Sequence, residues 1–243
     1  MSRPRFHCPF PLVAGQRIEL PDELAHHALR VLRLRDGSDI ILFDGSGGQY
    51  PAVLEAGKRQ AWAQLGDWQN IEVELPVRTV LVQGIASGDK MDWIVEKAVE
   101  MGVAQLVPVT AQRSVIQLSP ERREKRLKHW QRIARSASEQ CGRNRIMDVA
   151  EPQSLAQWLT QPEPDLLRLA CHPEAEHSLA DTLQGQDGPL ALMVGPEGGW
   201  SDEELALIAQ HDVRNVRFGT RVLRTETAGI ALMAAVAALK GWN

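Results

Sequence analysis

Cysteine is scarce in this chain. Cys8, Cys141 and Cys171 are the only three in 243 residues, they contain no Cys-x-x-Cys, and an odd number cannot all pair, so no structural zinc is implied. Cys171 and His172 are adjacent on an expected strand, where neighbouring side chains point to opposite faces, which makes them a poor metal-ligand pair. His26-His27 falls in a helical pattern and reads as one exposed and one packed histidine. Long apolar runs are missing too. The longest, Ile230 to Leu239, is too short to span a bilayer, and the opening Met1-Ser2-Arg3-Pro4-Arg5 lacks the apolar stretch of a signal peptide. A cytoplasmic protein is the expectation. The common nucleotide motifs are also absent: there is no Gly-x-x-x-x-Gly-Lys-[Ser/Thr], and Gly45-Ser46-Gly47-Gly48-Gln49-Tyr50 fails Gly-x-Gly-x-x-Gly at its last position.

What remains is an ordinary globular composition, 44% hydrophobic and 24% charged, long enough for one large or two modest domains. The formal net charge of −4 conceals an asymmetry. From Glu121 to Arg145 there are nine Lys or Arg against three Glu, and the first 35 residues hold six Arg against three acids. Local basic stripes, rather than net charge, are the footprint of phosphate binding, although a solvated helix face explains the Arg122 to Lys128 run equally well.

Residues up to about Asn70 read as a compact, mostly β unit. Gln16 to Leu20, Ile40 to Phe43, Gln49 to Leu54 and Gln60 to Leu65 are expected strands, with a helix from Pro21-Asp22 presenting Leu24, Ala28, Val31 and Leu32 on one face. After Ile71 to Val77 the pattern changes to strand and helix in alternation. Thr79 to Ile85 and Ala104 to Val109 are strands, Asp89 to Met101 is a helix, and a long helix N-capped by Ser119 buries Leu127, Trp130, Ala134, Ala137 and Cys141. The expected boundaries are 1–72 and 73–243, and the second part calls for an α/β fold with a mainly parallel sheet covered by helices on both faces.

Two segments carry the chemistry. Gly195-Pro196-Glu197-Gly198-Gly199-Trp200-Ser201 follows the apolar run Leu190 to Val194, and Phe218-Gly219-Thr220-Arg221-Val222-Leu223-Arg224-Thr225-Glu226-Thr227-Ala228 follows Val213 to Phe218. Both are loops between a strand and a helix, the place where open α/β sheets bind ligands. The first gives up side chains so that backbone amides can approach something closely. Its helix begins with a capping box, Ser201 and Glu204, and its acidic first turn disfavours a phosphate there. The second carries two arginines and a glutamate into Gly229 to Leu239, a helix with no polar face and so expected to be buried on all sides.

Together these loops resemble those of SPOUT-class RNA methyltransferases, specifically the RsmE family, which methylates N3 of a uridine in 16S ribosomal RNA. The resemblance extends to Lys90 to Val103 and to Glu139-Gln140-Cys141-Gly142-Arg143-Asn144-Arg145, and so spans most of the chain. It implies a PUA-like RNA-binding β-barrel at the N-terminus, a trefoil knot in the C-terminal sheet, a homodimer, and S-adenosylmethionine as cofactor with no metal. Carried over by position, the cofactor pocket takes Ala170, Cys171 and His172 from one strand end, Val194, Gly195 and Gly199 from the next, and Phe218, Gly219, Leu223, Arg224 and Thr225 from the third. Uracil N3 is protonated at neutral pH. Deprotonation spreads charge onto O2 and O4, so a carboxylate base and a guanidinium aimed at those oxygens meet the need. Glu197 or Glu226 is the candidate base and Arg221 or Arg224 the electrostatic partner; Arg224 and Glu226 pairing only with each other is the alternative. Expected RNA contacts are Arg3, Arg5, Arg30, Arg33, Lys90, Arg113, Arg143 and Arg145, with 16S rRNA or the small ribosomal subunit as partner. SPOUT relatives that methylate ribose enter the last helix through Ser-Leu-Asn, where this chain has Arg224-Thr225-Glu226-Thr227, which favours a base as acceptor. The alternatives are a non-catalytic rRNA-binding ribosome-assembly factor and a SPOUT enzyme acting on another RNA nucleotide.

Overall fold

The computed structural model of the protein describes residues 3–58, 60–114 and 119–242. The chain forms two compact units: Met1–Glu74 with Ser138–Ile146, and Leu75–Ala137 with Met147–Asn243.

The first unit contains β1 (Arg5–His7), β2 (Arg17–Glu19), α1 (Asp22–His26), β3 (Asp39–Phe43), β4 (Tyr50–Ala56) and β5 (Ala61–Leu65). The strands lie in the order β1-β3-β4-β5-β2, antiparallel except for the parallel β1–β3 pair. Period-two alternation sends Ala52 and Leu54 of β4 inward and Val53 outward, onto a core with Phe6, Ile18, Ile40, Leu42 and Ala63. One expectation is corrected here. After His26 the helix widens into a π-turn over His27–Val31, with the Leu32 amide donating to the His27 carbonyl five residues back. Residues spaced for 3.6 per turn then rotate out of register. Leu24 and Ala28 stay buried, whereas Val31 and Leu32 are 60% and 44% exposed. The histidine pair divides as expected, His26 exposed and His27 edge-on to Phe6.

Ser138–Ile146 joins this unit through polar bonds that no periodicity reveals. Arg143 forks onto Glu74 with 2.9 and 2.5 Å bonds, Asn144 donates to the Ile71 carbonyl and accepts from Arg5, and Glu139 accepts the His7 amide.

The second unit runs β6 (Thr79–Gly84), α2 (Lys90–Glu100), β7 (Gln105–Thr110), α3 (Pro120–Cys141), β8 (Asp148–Val149), β9 (Gln153–Ser154), α4 (Leu155–Leu159), β10 (Leu167–Cys171), α5 (Leu179–Leu183), β11 (Leu190–Val194), α6 (Asp202–Ala209), β12 (Val213–Val216) and α7 (Thr225–Lys240); the last turn of α3 groups with the first unit. Its sheet is ordered β12-β10-β11-β6-β7-β8, with β9 also on β7, and every pairing is parallel. β6 and β11 are buried along their whole length, as strands covered on both faces must be. Trp130, Ala134 and Ala137 of α3 are buried, with Leu127 and Cys141 half-buried.

α7 corrects a second expectation. The helix packs against α2 and β11 with Gly229, Leu232, Met233 and Val236 buried, but Ala234, Ala238 and Leu239 face outward, Leu239 at 53% exposure. The lack of polar residues therefore marks one packed face and one open apolar face, not burial all round.

Candidate active site

The carboxyl ends of β10, β11 and β12 open onto one cavity of about 650 Å³ in the second unit, a volume that suits a small organic ligand. Of the three strand ends expected to line it, Cys171, His172, Val194, Gly195, Gly199, Phe218, Leu223, Arg224 and Thr225 do so. Ala170 and Gly219 do not: Ala170 is buried within β10, and Gly219 bends the exposed loop at φ +73°.

The loop after β11 is shaped by what it touches. A Cβ on Gly198 would stand 2.9 Å from the Arg113 carbonyl, so the turn closes only without a side chain there, and one on Gly195 would press on the Gly199 backbone at 3.3 Å. Its exit is fixed by the expected capping box, in which Ser201 Oγ accepts the Glu204 amide at 3.1 Å and Glu204 accepts the Ser201 amide at 2.8 Å. The other Glu204 oxygen accepts the Gln112 amide, tying α6 to the end of β7.

A buried hydroxyl joins this loop to the next. Thr225 Oγ1 donates to the Gly195 carbonyl at 2.6 Å and accepts from Gln83 Nε2 at 2.9 Å, while that amide also donates to the Gly84 carbonyl at 2.9 Å. Gln83 is fully buried and Thr225 is 7% exposed. One cluster thus fastens the ends of β6 and β11 to the first turn of α7. Sequence reasoning missed Gln83, although an amide inside the apolar run Thr79–Gly84 was a signal that something polar needed it.

The charged groups divide into engaged and open ones. Glu197 accepts from Ser87 through both amide and hydroxyl, at 3.0 and 2.7 Å, and from Lys90 at 3.1 Å. Desolvation pulls its pKa upward, but those bonds outweigh it and hold the carboxyl at about 2. A carboxylate so satisfied is a poor proton acceptor, and it instead anchors the loop. Glu226 differs: it lines the cavity, and its buried Oε2 has no hydrogen-bond partner among the described residues. It sits in the first turn of α7. Arg221 and Arg224 are exposed at the mouth, and among the described residues neither enters an ion pair. The two-way pairing of Arg224 with Glu226 is therefore not formed. Trp200, another lining residue, also carries a buried donor at Nε1 with no partner among the described residues.

The expected RNA contacts also separate. Arg3, Arg30 and Arg33 are exposed, and the Arg145 side chain is 54% exposed. Arg5 donates to Gln49 and Asn144. Arg143, only 3% exposed and forked on Glu74, corrects the expectation for that residue, because its guanidinium is committed inside the fold. Lys90 and Arg113 border the cavity, Lys90 on Glu197 and Arg113 on the Trp200 carbonyl at 3.1 Å with Asp202 at 3.6 Å.

Comparison with known proteins agrees with this geometry. Residues 73–237 match the family model described as an RNA methyltransferase domain, and residues 20–66 match that of an RNA methyltransferase PUA domain. Ribosomal RNA small subunit methyltransferase E of Bacillus subtilis (strain 168) is 30% identical over 222 residues, covering 88% of this chain and 87% of that protein. The chain belongs to the ribosomal RNA small subunit methyltransferase E family. The crystal structure of the family member from Neisseria gonorrhoeae, bound to S-adenosyl methionine, superposes with a TM-score of 0.91 at 36% identity and 98% coverage of both chains. A putative methyltransferase from Legionella pneumophila in complex with the cofactor SAM gives a TM-score of 0.92 at 33% identity and 98% coverage of each. The second unit is thus a SPOUT-type methyltransferase sheet and the first carries the PUA domain.

Proposed function

We propose that this chain transfers a methyl group from S-adenosylmethionine to N3 of a uridine in 16S ribosomal RNA. The observation that carries the reading is the meeting, in one strand-end cavity, of glycine-lined backbone, two guanidiniums and a carboxylate whose buried oxygen has no partner among the described residues.

The cavity fits the cofactor. Val194, Phe218 and Leu223 provide apolar walls, the backbone of Gly195 and Gly199 provides close polar groups, and Trp200 Nε1 is a buried donor with no partner among the described residues. Bound there, S-adenosylmethionine supplies a methyl group made electrophilic by its sulfonium. The chain's own residues supply the rest. Glu226 Oε2 takes the N3 proton of the uracil, leaving the ring nitrogen nucleophilic. Arg224, with Arg221 beside it, donates to the carbonyl oxygens on which the resulting charge accumulates, and a planar guanidinium suits them better than a point charge. Glu197 keeps the loop in place through Ser87 and Lys90 and holds no reacting proton. Because N3 lies on the pairing edge, the target uridine is unpaired or flipped out when it enters.

The same proposal assigns RNA binding chiefly to residues 1–72 and catalysis to residues 73–243, with Arg3, Arg30 and Arg33 on phosphates, joined by Arg145, which groups with the first unit. It includes a homodimer, supported by the open apolar face of α7 (Ala234, Ala238, Leu239). It includes the trefoil knot of this class, with which the close approach of Gly229 to Leu81 accords, and a cytoplasmic location. Among the described residues no helix is long and apolar enough to cross a membrane. Incubating the purified chain with rRNA lacking the modification, then analysing its nucleosides, tests the reading: 3-methyluridine supports it, and a 2′-O-methylated product refutes it.

A further inference from the structure

The glycine-rich stretch between β3 and β4 has no role in the cavity, yet its geometry is specific. Gly47 and Gly48 hold φ values of +114° and +67°. A Cβ on Gly47 would stand 2.5 Å from Glu72 Oε1 and 2.7 Å from Arg145 Nη2, and one on Gly48 would overlap the indole of Trp68 at Nε1, Cε2 and Cζ2. The turn therefore lacks side chains because an indole and a guanidinium lie directly against its backbone. Both are held there. Gln49 and Gln69 exchange backbone bonds of 3.0 and 2.8 Å and a side-chain bond of 3.1 Å, which fixes the residue after Trp68. Gly45 and Ser46 bridge to Arg145, and the Gly48 amide donates to Glu72 Oε1 at 2.6 Å.

The result is a seated but open pair. Trp68 stays 50% exposed and the Arg145 side chain 54% exposed, with Glu72 Oε2 3.8 Å from the guanidinium. An indole held against backbone at Nε1, Cε2 and Cζ2 and half exposed elsewhere loses little entropy when a flat partner covers it, and a neighbouring cation suits a polyanion.

We infer that Trp68 and Arg145 form a landing site for one unpaired nucleotide, the base stacking on the indole and an adjacent phosphate meeting the guanidinium. This rests on the reading of the chain as an enzyme acting on RNA. Stacking of this kind is indifferent to base identity, so the site holds single-stranded RNA flanking the target rather than choosing the target itself.

The test measures binding of a labelled oligouridylate of about ten nucleotides to the full chain, alongside cofactor affinity and melting temperature. Trp68→Leu keeps apolar bulk without a π-face and should weaken RNA binding by ~10-fold, while Trp68→Phe should remain near the parent. Arg145→Ala should lower the slope of log affinity against log salt by about 0.7. Cofactor affinity should be unchanged in all three. If Trp68→Leu melts like the parent and binds RNA within twofold of it, the landing site is wrong. The same holds if that variant changes only self-association, which would make Trp68, with exposed Ile71 and Val73, a protein contact. A parent chain that binds neither oligouridylate nor cofactor would instead overturn the RNA-methyltransferase reading, and a parent that methylates rRNA while Trp68→Leu matches it in RNA affinity would overturn the landing site alone.

Discussion

Thr225→Val is the most informative single change to the cofactor loops. It preserves shape and β-branching and deletes only the hydroxyl that donates to the Gly195 carbonyl and accepts from Gln83. The Gly195 carbonyl loses that donor, and Gln83 Nε2 keeps its bond to the Gly84 carbonyl. Two lost bonds, at a net of about 1 kcal/mol each, amount to about 2 kcal/mol. For a chain of this size that lowers the melting temperature by roughly 4–8 °C, read by differential scanning calorimetry. Because the hydroxyl tethers the Gly195 loop to the start of α7, S-adenosylmethionine affinity should fall by ~10-fold as well, equivalent to about 1.4 kcal/mol. Gln83→Leu in the same background should add less than its cost alone, since groups in one network couple by about 0.5–3 kcal/mol. Parental melting together with parental cofactor affinity in Thr225→Val would refute the claim that this cluster sets the pocket.

Arg224→Ala should lower single-turnover methyl transfer by ~100-fold at saturating substrates, with melting temperature and cofactor affinity little changed and little rescue by Lys; a large drop in melting with normal turnover of the folded fraction would make Arg224 structural. Glu226→Gln should reduce the rate at neutral pH by ~100-fold and leave cofactor affinity intact, and an unimpaired rate would remove Glu226 as the base. Glu197 has a pKa depressed from 4.5 to about 2, so its contribution to stability is present above pH 4.5 and is lost as pH falls toward 2. Glu197→Gln should accordingly lower the melting temperature at pH 7 and flatten its decline below pH 4.5, whereas an unchanged acid limb would mean that the Ser87 and Lys90 bonds do not form in solution.

The strand-loop-helix units were legible because apolar runs, glycine loops and the Ser201–Glu204 box are local signals, each complete within a few residues. The cavity followed from them because β12, β10 and β11 are neighbours in the sheet, which brings their carboxyl ends together. What escaped was long-range. Nothing local distinguishes Arg143 from Arg145, yet one is buried on Glu74 and the other lies open over a glycine turn. Glu197 and Glu226 likewise look alike as loop carboxylates, and only the position of Ser87 and Lys90, far away in sequence, makes the first an anchor, while the second keeps an oxygen without a partner among the described residues. The π-turn at His27–Val31 and the open face of α7 were hidden for a related reason: apolar spacing reports what could be buried, while the surrounding packing decides what is.

The central claim is methyl transfer to a uracil nitrogen by this chain with S-adenosylmethionine alone. It is tested most directly by supplying isotopically labelled S-adenosylmethionine and small ribosomal subunits from cells lacking the activity, in the presence of a chelator, and mapping the label by nucleoside mass spectrometry. The account predicts label at one uridine as 3-methyluridine, lost with Glu226→Gln and Arg224→Ala. Absence of label, or label on a ribose hydroxyl, would contradict it.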